Sequence, residues 1–284
     1  NYFFQKHYFE GIFYPHGNGV SIDHRWTLKD DTLINFPILT IPIEQQKKIA
    51  NYLDEKTKNI DQVISKKKKL IELLHEKRAA VINHAVTKGL DSKVELIESG
   101  IDWVGRIPKN WEVKKLKYIT HIEYGESLSD GVRQEGNVKV FGSNGAVGIH
   151  NISNTLFPNI IIGRKGSYGA VNYVNESIFA IDTTYFIDER HTKQNIKWLY
   201  YILGCLGLNT QSQDTGVPGL SRATAYEKLI PLPSIEIQYN LVKNLDLEMD
   251  KFDLIKSKIE KSIELLQEFK SSLISNVVTG KVKI

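Results

Sequence analysis

Residues 43–87 read IEQQKKIANYLDEKTKNIDQVISKKKKLIELLHEKRAAVINHAVT, and residues 235–279 read IEIQYNLVKNLDLEMDKFDLIKSKIEKSIELLQEFKSSLISNVVT. At a fixed offset of 192 the two stretches share 17 identities in 45 positions. Self-similarity over such a length is the signature of an internal repeat. The sequence therefore predicts two copies of one structural unit.

Both copies carry an apolar seam in which neighbouring members follow a period of 3.5 residues. Such a period, held for about five heptads, is typical of a coiled coil. It predicts two long helices, each roughly 65 Å in length, that pack against each other. The predicted seam residues are Ile49, Leu53, Ile60, Val63, Leu70 and Leu74 in the first copy and Leu241, Leu245, Phe252, Ile255, Ile259 and Leu266 in the second.

The composition is that of an ordinary globular protein, with 284 residues of which 41% are hydrophobic and 25% are charged. The single cysteine, Cys205, excludes an internal disulfide framework and a cysteine-cluster zinc site, which favours a reducing compartment. The sequence contains neither a secretory signal nor a run of about 18 apolar residues that could span a membrane. We therefore expect a cytoplasmic protein.

Charge is distributed unevenly over the chain, although the net charge is only +4. Residues 44–88 hold 11 basic against 6 acidic side chains, residues 234–281 hold 7 against 8, and residues 95–233 hold 14 against 14. The run Lys66–Lys69 has two interpretations, a solvated helix face or an edge that faces DNA phosphates. Because residues 95–233 are neutral overall, any contact with nucleic acid there must depend on local clusters.

Domain boundaries follow from the repeat and from turn signals. We expect residues 1–42 to be the C-terminal tail of a first domain, 43–89 the first long helix and 90–100 a linker. Residues 101–233 alternate β-branched and aromatic runs with glycine and asparagine turns, which predicts a strand-rich mixed α/β (α+β) domain. Residues 234–280 form the second long helix.

The offset between the copies also bears on the start of the chain. If the second unit begins near Ile101, its counterpart would begin about 91 positions before Asn1. We therefore expect roughly 90 residues of the first unit to lie outside this sequence, since the two copies keep the same spacing.

No motif for catalysis or for a metal is found. The glycines of GRKGSYGAV (residues 163–171) lack the lysine spacing of a phosphate-binding loop, and no nucleophile elbow or Asn/Asp-Pro-Pro-aromatic methyltransferase motif occurs. His75 and His84 are nine residues apart, a spacing that suits no metal site on one helix face. The sequence therefore favours a binding protein without catalytic or metal-binding residues.

Three glycine-rich turns carry small polar and basic residues that suit DNA contacts. Arginine and lysine pair with guanine, asparagine pairs with adenine, and hydroxyls contact phosphates. The alternative is that these are polar hairpin loops with no ligand. The candidate DNA-binding residues are Ser143, Asn144, Arg164, Lys165, Ser167, Tyr168, Ser221 and Arg222.

The ordered combination of several segments resembles the specificity subunits of Type I restriction-modification systems. The resemblance spans essentially the whole chain and rests on IPIEQQKKIANYLDEKT, AVTKGL, WVGRIPKNWEVKKLK, IIGRKGSYGAV and TGVPGLSRATAYEKLIPLP. In that family, target-recognition domains alternate with two long helices that pair antiparallel and set the spacing between two half-sites of DNA.

The resemblance implies a non-catalytic subunit that reads double-stranded DNA and docks methyltransferase subunits on its helices. S-adenosylmethionine is then expected on the methyltransferase, and ATP and Mg on the restriction and translocase subunit that joins through it. A homodimer through the helices is a further expectation. The alternative, which the neutral charge of residues 95–233 supports, is a coiled-coil protein-protein adaptor without direct DNA readout.

Overall fold

The computed structural model describes residues 2–9, 12–13, 18–19, 26–27, 29–36, 40–210 and 219–284. The chain forms two compact units, one made of residues 1–76 and 252–284 and the other of residues 77–251. Much of the tail expected over residues 1–42 lies outside the described residues, as do Gly216 and Val217 before the third turn.

The helices in the described part of the chain include two that are far longer than the others. The first begins after Pro42, whose carbonyl accepts the backbone N–H groups of Gln45 and Gln46, and Gly89 follows its end with a positive φ of 77°. These two long helices confirm the architecture that the repeat predicts. The helices are α1 Tyr2–Phe9, α2 Asp30–Ile34, α3 Ile43–Lys88, α4 Ile196–Gly204, α5 Arg222–Tyr226 and α6 Ile235–Val278.

In the first unit, α3 and α6 pack against each other in opposite directions. Leu53 is fully buried and packs with Ile274 and Val277, whereas Asp61 forms a 2.7 Å ion pair with Lys270. Because a later residue of α3 contacts an earlier residue of α6, the pair is antiparallel. This orientation agrees with the expectation drawn from the family resemblance.

The buried seam differs from the predicted one at three of the twelve predicted positions. Val63, Leu70 and Ile255 are 41%, 49% and 46% exposed, so their placement in the seam was wrong. On α3 the adjacent positions are covered instead, at Ile64 and at Ile71.

Polar residues at seam positions explain the error. Thr57 is buried and Lys67 is partly buried, and both stand where a heptad pattern expects an apolar side chain. Lysine can cover apolar surface with its methylene chain while its ammonium group stays in water. A pattern based on hydrophobicity alone does not assign such polar residues to the seam. It therefore assigned neighbouring apolar residues to the seam instead. The other predicted seam residues are buried at Leu53, Ile60, Leu241, Leu245, Phe252 and Ile259 and partly buried at Ile49, Leu74 and Leu266.

The start of the chain packs on α3 within the first unit. The Tyr2 hydroxyl donates a 2.6 Å hydrogen bond to the Asp54 carboxylate and lies 3.2 Å from the Thr57 hydroxyl. Two short antiparallel strands, β1 Asn18–Gly19 and β2 Trp26–Thr27, also belong to this unit.

The second unit is rich in short strands, as predicted for a recognition domain. A four-stranded sheet has the order β10-β9-β12-β6, a three-stranded sheet has the order β11-β7-β8, and β13 pairs with β5 and β3 with β4. The strands are β3 Leu96–Ile101, β4 Gly105–Pro108, β5 Glu112–Lys115, β6 Glu123–Tyr124, β7 Val138–Gly142, β8 Gly145–His150, β9 Asn159–Gly163, β10 Val171–Val174, β11 Phe179–Ala180, β12 Thr184–Ile187 and β13 Leu229–Leu232.

The segment 90–100, expected to be a linker, requires a correction. Its second half enters β3, which pairs with β4 in the antiparallel direction. The Lys88 ammonium group donates hydrogen bonds to the carbonyls of Val104 and Arg106, so the end of α3 is tied to this hairpin. The strand was missed because Glu98, Ser99 and Gly100 interrupt the apolar residues of β3 and resemble a polar linker.

The core of the second unit forms around β9, whose five residues are all buried. The helix α4 covers this sheet, and Asn195 caps its first turn by accepting the Trp198 backbone N–H. The Tyr201 hydroxyl donates a 2.8 Å hydrogen bond to Asp246, and the Lys197 ammonium group donates another of 2.8 Å to the same carboxylate. Two side chains of α4 therefore share one carboxylate on α6.

Candidate nucleic-acid interface

Two of the three predicted turns meet at one backbone carbonyl. The carbonyl oxygen of Thr183 accepts the Ser143 hydroxyl at 2.6 Å, the Arg164 N–H at 2.8 Å and the Lys165 N–H at 3.1 Å. Thr183 lies just before β12, about 40 residues after the first turn. The fold thus brings the turns at 143–144 and 164–168 to a common edge.

The third turn joins the same edge. The Leu220 N–H donates a 2.9 Å hydrogen bond to the Arg164 carbonyl, and the Leu220 carbonyl accepts the Tyr185 hydroxyl, also at 2.9 Å. Ser221 and Arg222 follow directly and begin α5. All three turns therefore lie together, whereas the sequence showed only that they have similar composition.

Glycines allow the backbone to close around the second turn. A Cβ atom on Gly163 would lie 2.1 Å from the Ser167 carbonyl oxygen, and one on Gly169 would lie 2.4 Å from the Asn209 nitrogen. Gly169 also has a positive φ of 75°, which glycine adopts without strain. These close approaches fix the path of the turn and leave Lys165 and Ser167 exposed.

The predicted DNA-binding residues differ in the solvent exposure of their side chains. The Ser143 side chain is buried, and its hydroxyl donates a hydrogen bond to the Thr183 carbonyl. Ser143 therefore stabilises the turn. Asn144, Lys165 and Ser167 are exposed, and the remaining candidates are partly buried: Arg164, Tyr168, Ser221 and Arg222.

Two of the predicted arginines meet over one tyrosine ring. The guanidinium carbon of Arg222 lies 4.4 Å from the centre of the Tyr124 ring, and that of Arg164 lies 5.1 Å from the same centre. Tyr124 itself is 39% exposed and lies 5.0 Å, ring centre to ring centre, from Tyr185. Cation–π contacts of this kind hold a guanidinium in place without neutralising its charge.

Neither of these arginines has a carboxylate partner among the described residues. Arg164 Nη1 donates to the Asp182 carbonyl at 3.0 Å, and Arg222 Nη1 donates to the Ile122 carbonyl at 3.1 Å. Other arginines of the second unit are paired with acids, as Arg106 is with Glu98, Arg133 with Asp130 and Arg190 with Asp188. The two guanidinium groups at the edge therefore keep their full charge for an external acceptor.

The tyrosines of the surface were missed by sequence reasoning. Tyr124 ends a strand of two residues and precedes Gly125, on which a Cβ atom would lie 2.0 Å from the Ile181 carbonyl oxygen. A lone aromatic before a glycine is common in hairpins, so nothing in the sequence distinguished it. Tyr185 was hidden within an apolar strand.

Burial raises the pKa of Tyr185, and the neighbouring Tyr124 raises it further, while Arg164 acts in the opposite direction. The Tyr185 hydroxyl therefore stays protonated at neutral pH and continues to donate to Leu220. The pKa of Glu123 is lowered by the hydrogen bond from the Tyr124 N–H and by His121, against the effect of burial. A carboxylate is thus present at the margin of the surface.

A cleft of about 710 Å³ adjoins this surface at Tyr226, whose ring lies 5.9 Å from the Arg222 guanidinium carbon. Its basic side chains are largely neutralised. Lys117 pairs with Glu227 at 2.7 Å, and hydrogen bonds from Lys115 and Lys117 lower the pKa of Glu227 to about 2. The cleft is therefore a weaker attractor of anions than the two arginines.

The described residues contain no group of three or more His, Cys, Asp or Glu side chains that could hold a metal ion. Within that part of the chain, every helix is also too short or too polar to cross a membrane. The surface at the three turns carries guanidinium, ammonium, hydroxyl, amide and aromatic groups, which suit recognition of a polar surface.

Comparison with known proteins gives a consistent result. The sequence model of the family described as "Type I restriction modification DNA specificity domain" matches residues 108–265. The chain is 24% identical over 279 residues to the Type I restriction enzyme MjaVIII specificity subunit of Methanocaldococcus jannaschii, covering 88% of this chain and 63% of that protein. It is 25% identical over 260 residues to the putative MjaX specificity subunit of the same organism, covering 86% and 58%. The chain thus spans less than two thirds of the length of either relative.

Solved structures show the same fold at low sequence identity. A chain from a study of complex assembly and conformational transition of the type I R-M system has a TM-score of 0.73 at 15% identity, covering 91% of this chain and 66% of that one. The HsdS subunit from Thermoanaerobacter tengcongensis has a TM-score of 0.53 at 15% identity, with 94% and 66% covered. The likeness at these identities concerns the arrangement of helices and strands.

Proposed function

The chain belongs to the Type I restriction modification DNA specificity family, and we propose that it reads the sequence of double-stranded DNA as a subunit of a restriction-modification complex. The reading surface is the edge where the turns at 143–144, 164–168 and 221–222 meet. One observation carries this proposal above the others. Arg164 and Arg222 converge on Tyr124 without a carboxylate partner among the described residues, although other arginines of the same unit are paired.

The lack of a carboxylate partner among the described residues leaves N–H donors of both arginines available to a ligand. An arginine beside a carboxylate forms charge-assisted hydrogen bonds with it. Where no carboxylate is near, the guanidinium N–H groups can donate to another acceptor. Base edges and phosphates are such acceptors. The neutral balance of residues 95–233 means that a general positive field contributes little, so binding depends on these local groups.

The long helices are proposed to dock methyltransferase subunits. In the first unit the antiparallel pair buries one seam, yet further large apolar side chains remain exposed on both helices. An apolar stripe on the outer face of a helix pair marks a site for further helices or another protein. These side chains, each between 41% and 58% exposed, are Val63, Leu70, Leu73, Leu254, Ile255, Leu265 and Phe269.

In this proposal the chain carries no catalytic group and binds no cofactor itself. The methyltransferase subunit supplies S-adenosylmethionine, and the restriction subunit, which joins through the methyltransferase, supplies ATP and Mg. Pairing of two copies of the chain through the exposed helix faces is the competing use of the same apolar surface. The adaptor function without DNA readout is less well supported, because it gives no role to Arg164 and Arg222, which have no carboxylate partner among the described residues.

Co-expression with a methyltransferase subunit tests the proposal. The chain and the methyltransferase are purified separately and together, and methyl transfer to genomic DNA is measured with the modified positions mapped. We expect transfer to one defined sequence only when both proteins are present. Transfer by this chain alone would contradict its non-catalytic role, and site-specific transfer by the methyltransferase alone would favour the adaptor.

A double variant links the test to the surface. R164A/R222A should abolish site-specific methylation while leaving the complex with the methyltransferase intact in size-exclusion chromatography, because the apolar helix faces lie elsewhere in the chain. R106A is the matched control, since Arg106 is paired with Glu98 in the same unit. Equal methylation by the double variant and the wild type would remove the surface from the proposal.

A further inference from the structure

We infer that Arg164 and Arg222 each read a guanine, so that the half-site recognised by this domain contains two guanines within about four consecutive base pairs. This inference rests on the proposed function, because it assumes that the edge faces DNA. It goes further by naming the base and the spacing. It also divides the candidate residues into those that specify sequence and those that contact the backbone.

The two guanidinium groups are held in place before any ligand arrives. In each arginine, Nη1 donates a hydrogen bond to a backbone carbonyl, at 3.0 Å for Arg164 and 3.1 Å for Arg222. Each guanidinium group also lies against the Tyr124 ring. An arginine has five N–H donors in a planar fork, so several remain on each side chain. A fixed fork loses little conformational entropy when it forms a second pair of hydrogen bonds.

Guanine is the base that such a fork matches. Its N7 and O6 atoms are two acceptors side by side in the major groove, and a bidentate arginine is the commonest specific contact to them. Adenine presents one acceptor and one donor there, which a guanidinium cannot pair with twice. A cytosine presents a donor, and the guanidinium has no acceptor to offer.

Phosphate contacts are better assigned to the exposed neighbours of these arginines. Lys165 and Ser167 lie in the same turn, are exposed and have flexible or small side chains. Contacts to phosphates position a protein on the duplex without reading its sequence, and they do not require a fixed geometry. The two arginines, which are held by hydrogen bonds and by Tyr124, are therefore assigned to bases, and the exposed Lys165 and Ser167 to the DNA backbone.

The distance between the two arginines sets the spacing of the guanines. Both guanidinium carbons are measured from the same ring centre, at 4.4 and 5.1 Å, so they cannot lie more than about 9.5 Å apart. Base pairs follow one another roughly every 3.4 Å along the helix axis, so this distance spans about three steps at most. When both forks enter the groove side by side, the two guanines, on either strand, fall within about four consecutive base pairs.

A selection experiment tests the inference. The wild-type chain with its methyltransferase subunit is incubated with a library of random duplexes at fixed salt, and the bound DNA is sequenced. We expect an enriched motif with two G·C pairs inside a window of four. R164A and R222A should each lose the preference at one of these pairs by about 5- to 140-fold while keeping the rest of the motif.

Controls separate readout from loss of structure. R164K and R222K keep the charge but lose the planar fork held against Tyr124, so they should weaken the preference for G·C, and circular dichroism melting confirms that each variant is folded. K165A should weaken binding to all sequences alike and lower the slope of the salt dependence by about one. R106A should leave the motif unchanged.

The outcomes distinguish this inference from the proposed function. A motif without guanine, or arginine variants that bind more weakly with an unchanged motif, would overturn the guanine assignment and leave DNA reading intact. If no sequence is enriched by the wild-type complex, both the assignment and the DNA-reading function are wrong.

Discussion

Tyr201 donates a 2.8 Å hydrogen bond to Asp246 in the second unit, and the first unit holds a similar contact, in which Tyr2 donates to Asp54 at 2.6 Å. Asp54 and Asp246 are separated by the repeat offset of 192 and are identical in the two copies. The equivalent carboxylates thus both accept a tyrosine hydroxyl, although Tyr2 and Tyr201 are 199 residues apart and are not equivalent positions of the repeat.

Removal of the Asp246 carboxylate should loosen α4 on α6. Two hydrogen bonds end at this group, from Tyr201 and Lys197, so D246A should lower the free energy of unfolding by about 1–2 kcal/mol, measured in urea. D250A is the control, because Asp250 is exposed on the same helix, and it should change the value by less than about 0.5 kcal/mol. Equal effects of the two changes would argue against this contact as a stabilising one.

The seam correction can be tested with two leucines of α3. Leu53 is fully buried, so L53A should lower the free energy of unfolding by about 2–5 kcal/mol. Leu70 was predicted in the seam but is 49% exposed, so L70A should cost less than about 1 kcal/mol. Denaturant unfolding of both variants measures these free energies. A loss for L70A as large as that for L53A would show that Leu70 belongs to the seam after all.

The turn at 164–168 should depend on Gly163. A methyl group there would lie 2.1 Å from the Ser167 carbonyl oxygen, so G163A must shift the backbone and should lower the melting temperature and abolish sequence-specific DNA binding. Gly204 ends α4 with open space around it, so G204A should be neutral or stabilising by up to about 1 kcal/mol. Thermal melts followed by DNA-binding assays check both effects. Unchanged binding by G163A would show that the turn does not form part of the interface.

Stability in acid should depend on Asp188. Burial alone would raise the pKa of this carboxyl, but the Arg190 guanidinium and the N–H groups of Leu156 and Arg190 offset burial and hold the pKa below its ordinary value. A lowered pKa means that the native state binds the proton less readily than the unfolded chain. Its contribution to stability is therefore present above about pH 4, the unfolded pKa, and is lost as pH falls through the folded pKa.

The variant D188N should therefore be about 3 kcal/mol less stable than the wild type at pH 7, because Arg190 loses its charged partner. The difference should narrow below about pH 4. Urea unfolding at several pH values measures it, and E189Q, which changes the exposed neighbour, should show neither effect. A constant difference across this range would contradict the assignment of the lowered pKa.

The sequence predicted the long helices better than the details of their packing. The repeat of 45 residues predicted the length of both helices. A hydrophobic pattern does not identify Thr57 and Lys67 as seam residues, because both are polar. Val63 and Ile64 are adjacent and both apolar, so only the partner helix decides which of them is buried.

The candidate surface was predicted in its parts but not in its assembly. Glycine and polar residues identified the three turns, yet their meeting point is Thr183, which has no distinguishing composition. The contribution of Tyr124 depends on long-range contacts with Arg164 and Arg222, about 40 and 98 residues later in the chain. Such contacts are set by sheet pairing, which local patterns do not specify.

The ion pair between Lys270 and Asp61 has a consequence for the register of the helix pair. Seams of aliphatic side chains tolerate a slip by one heptad, because each heptad resembles the next. A slip of seven residues here would bring Lys270 to the level of Lys68, a like charge, or to that of Asp54, which already accepts Tyr2. The ion pair beside the seam thus favours the observed alignment in the first unit over a slip of one heptad.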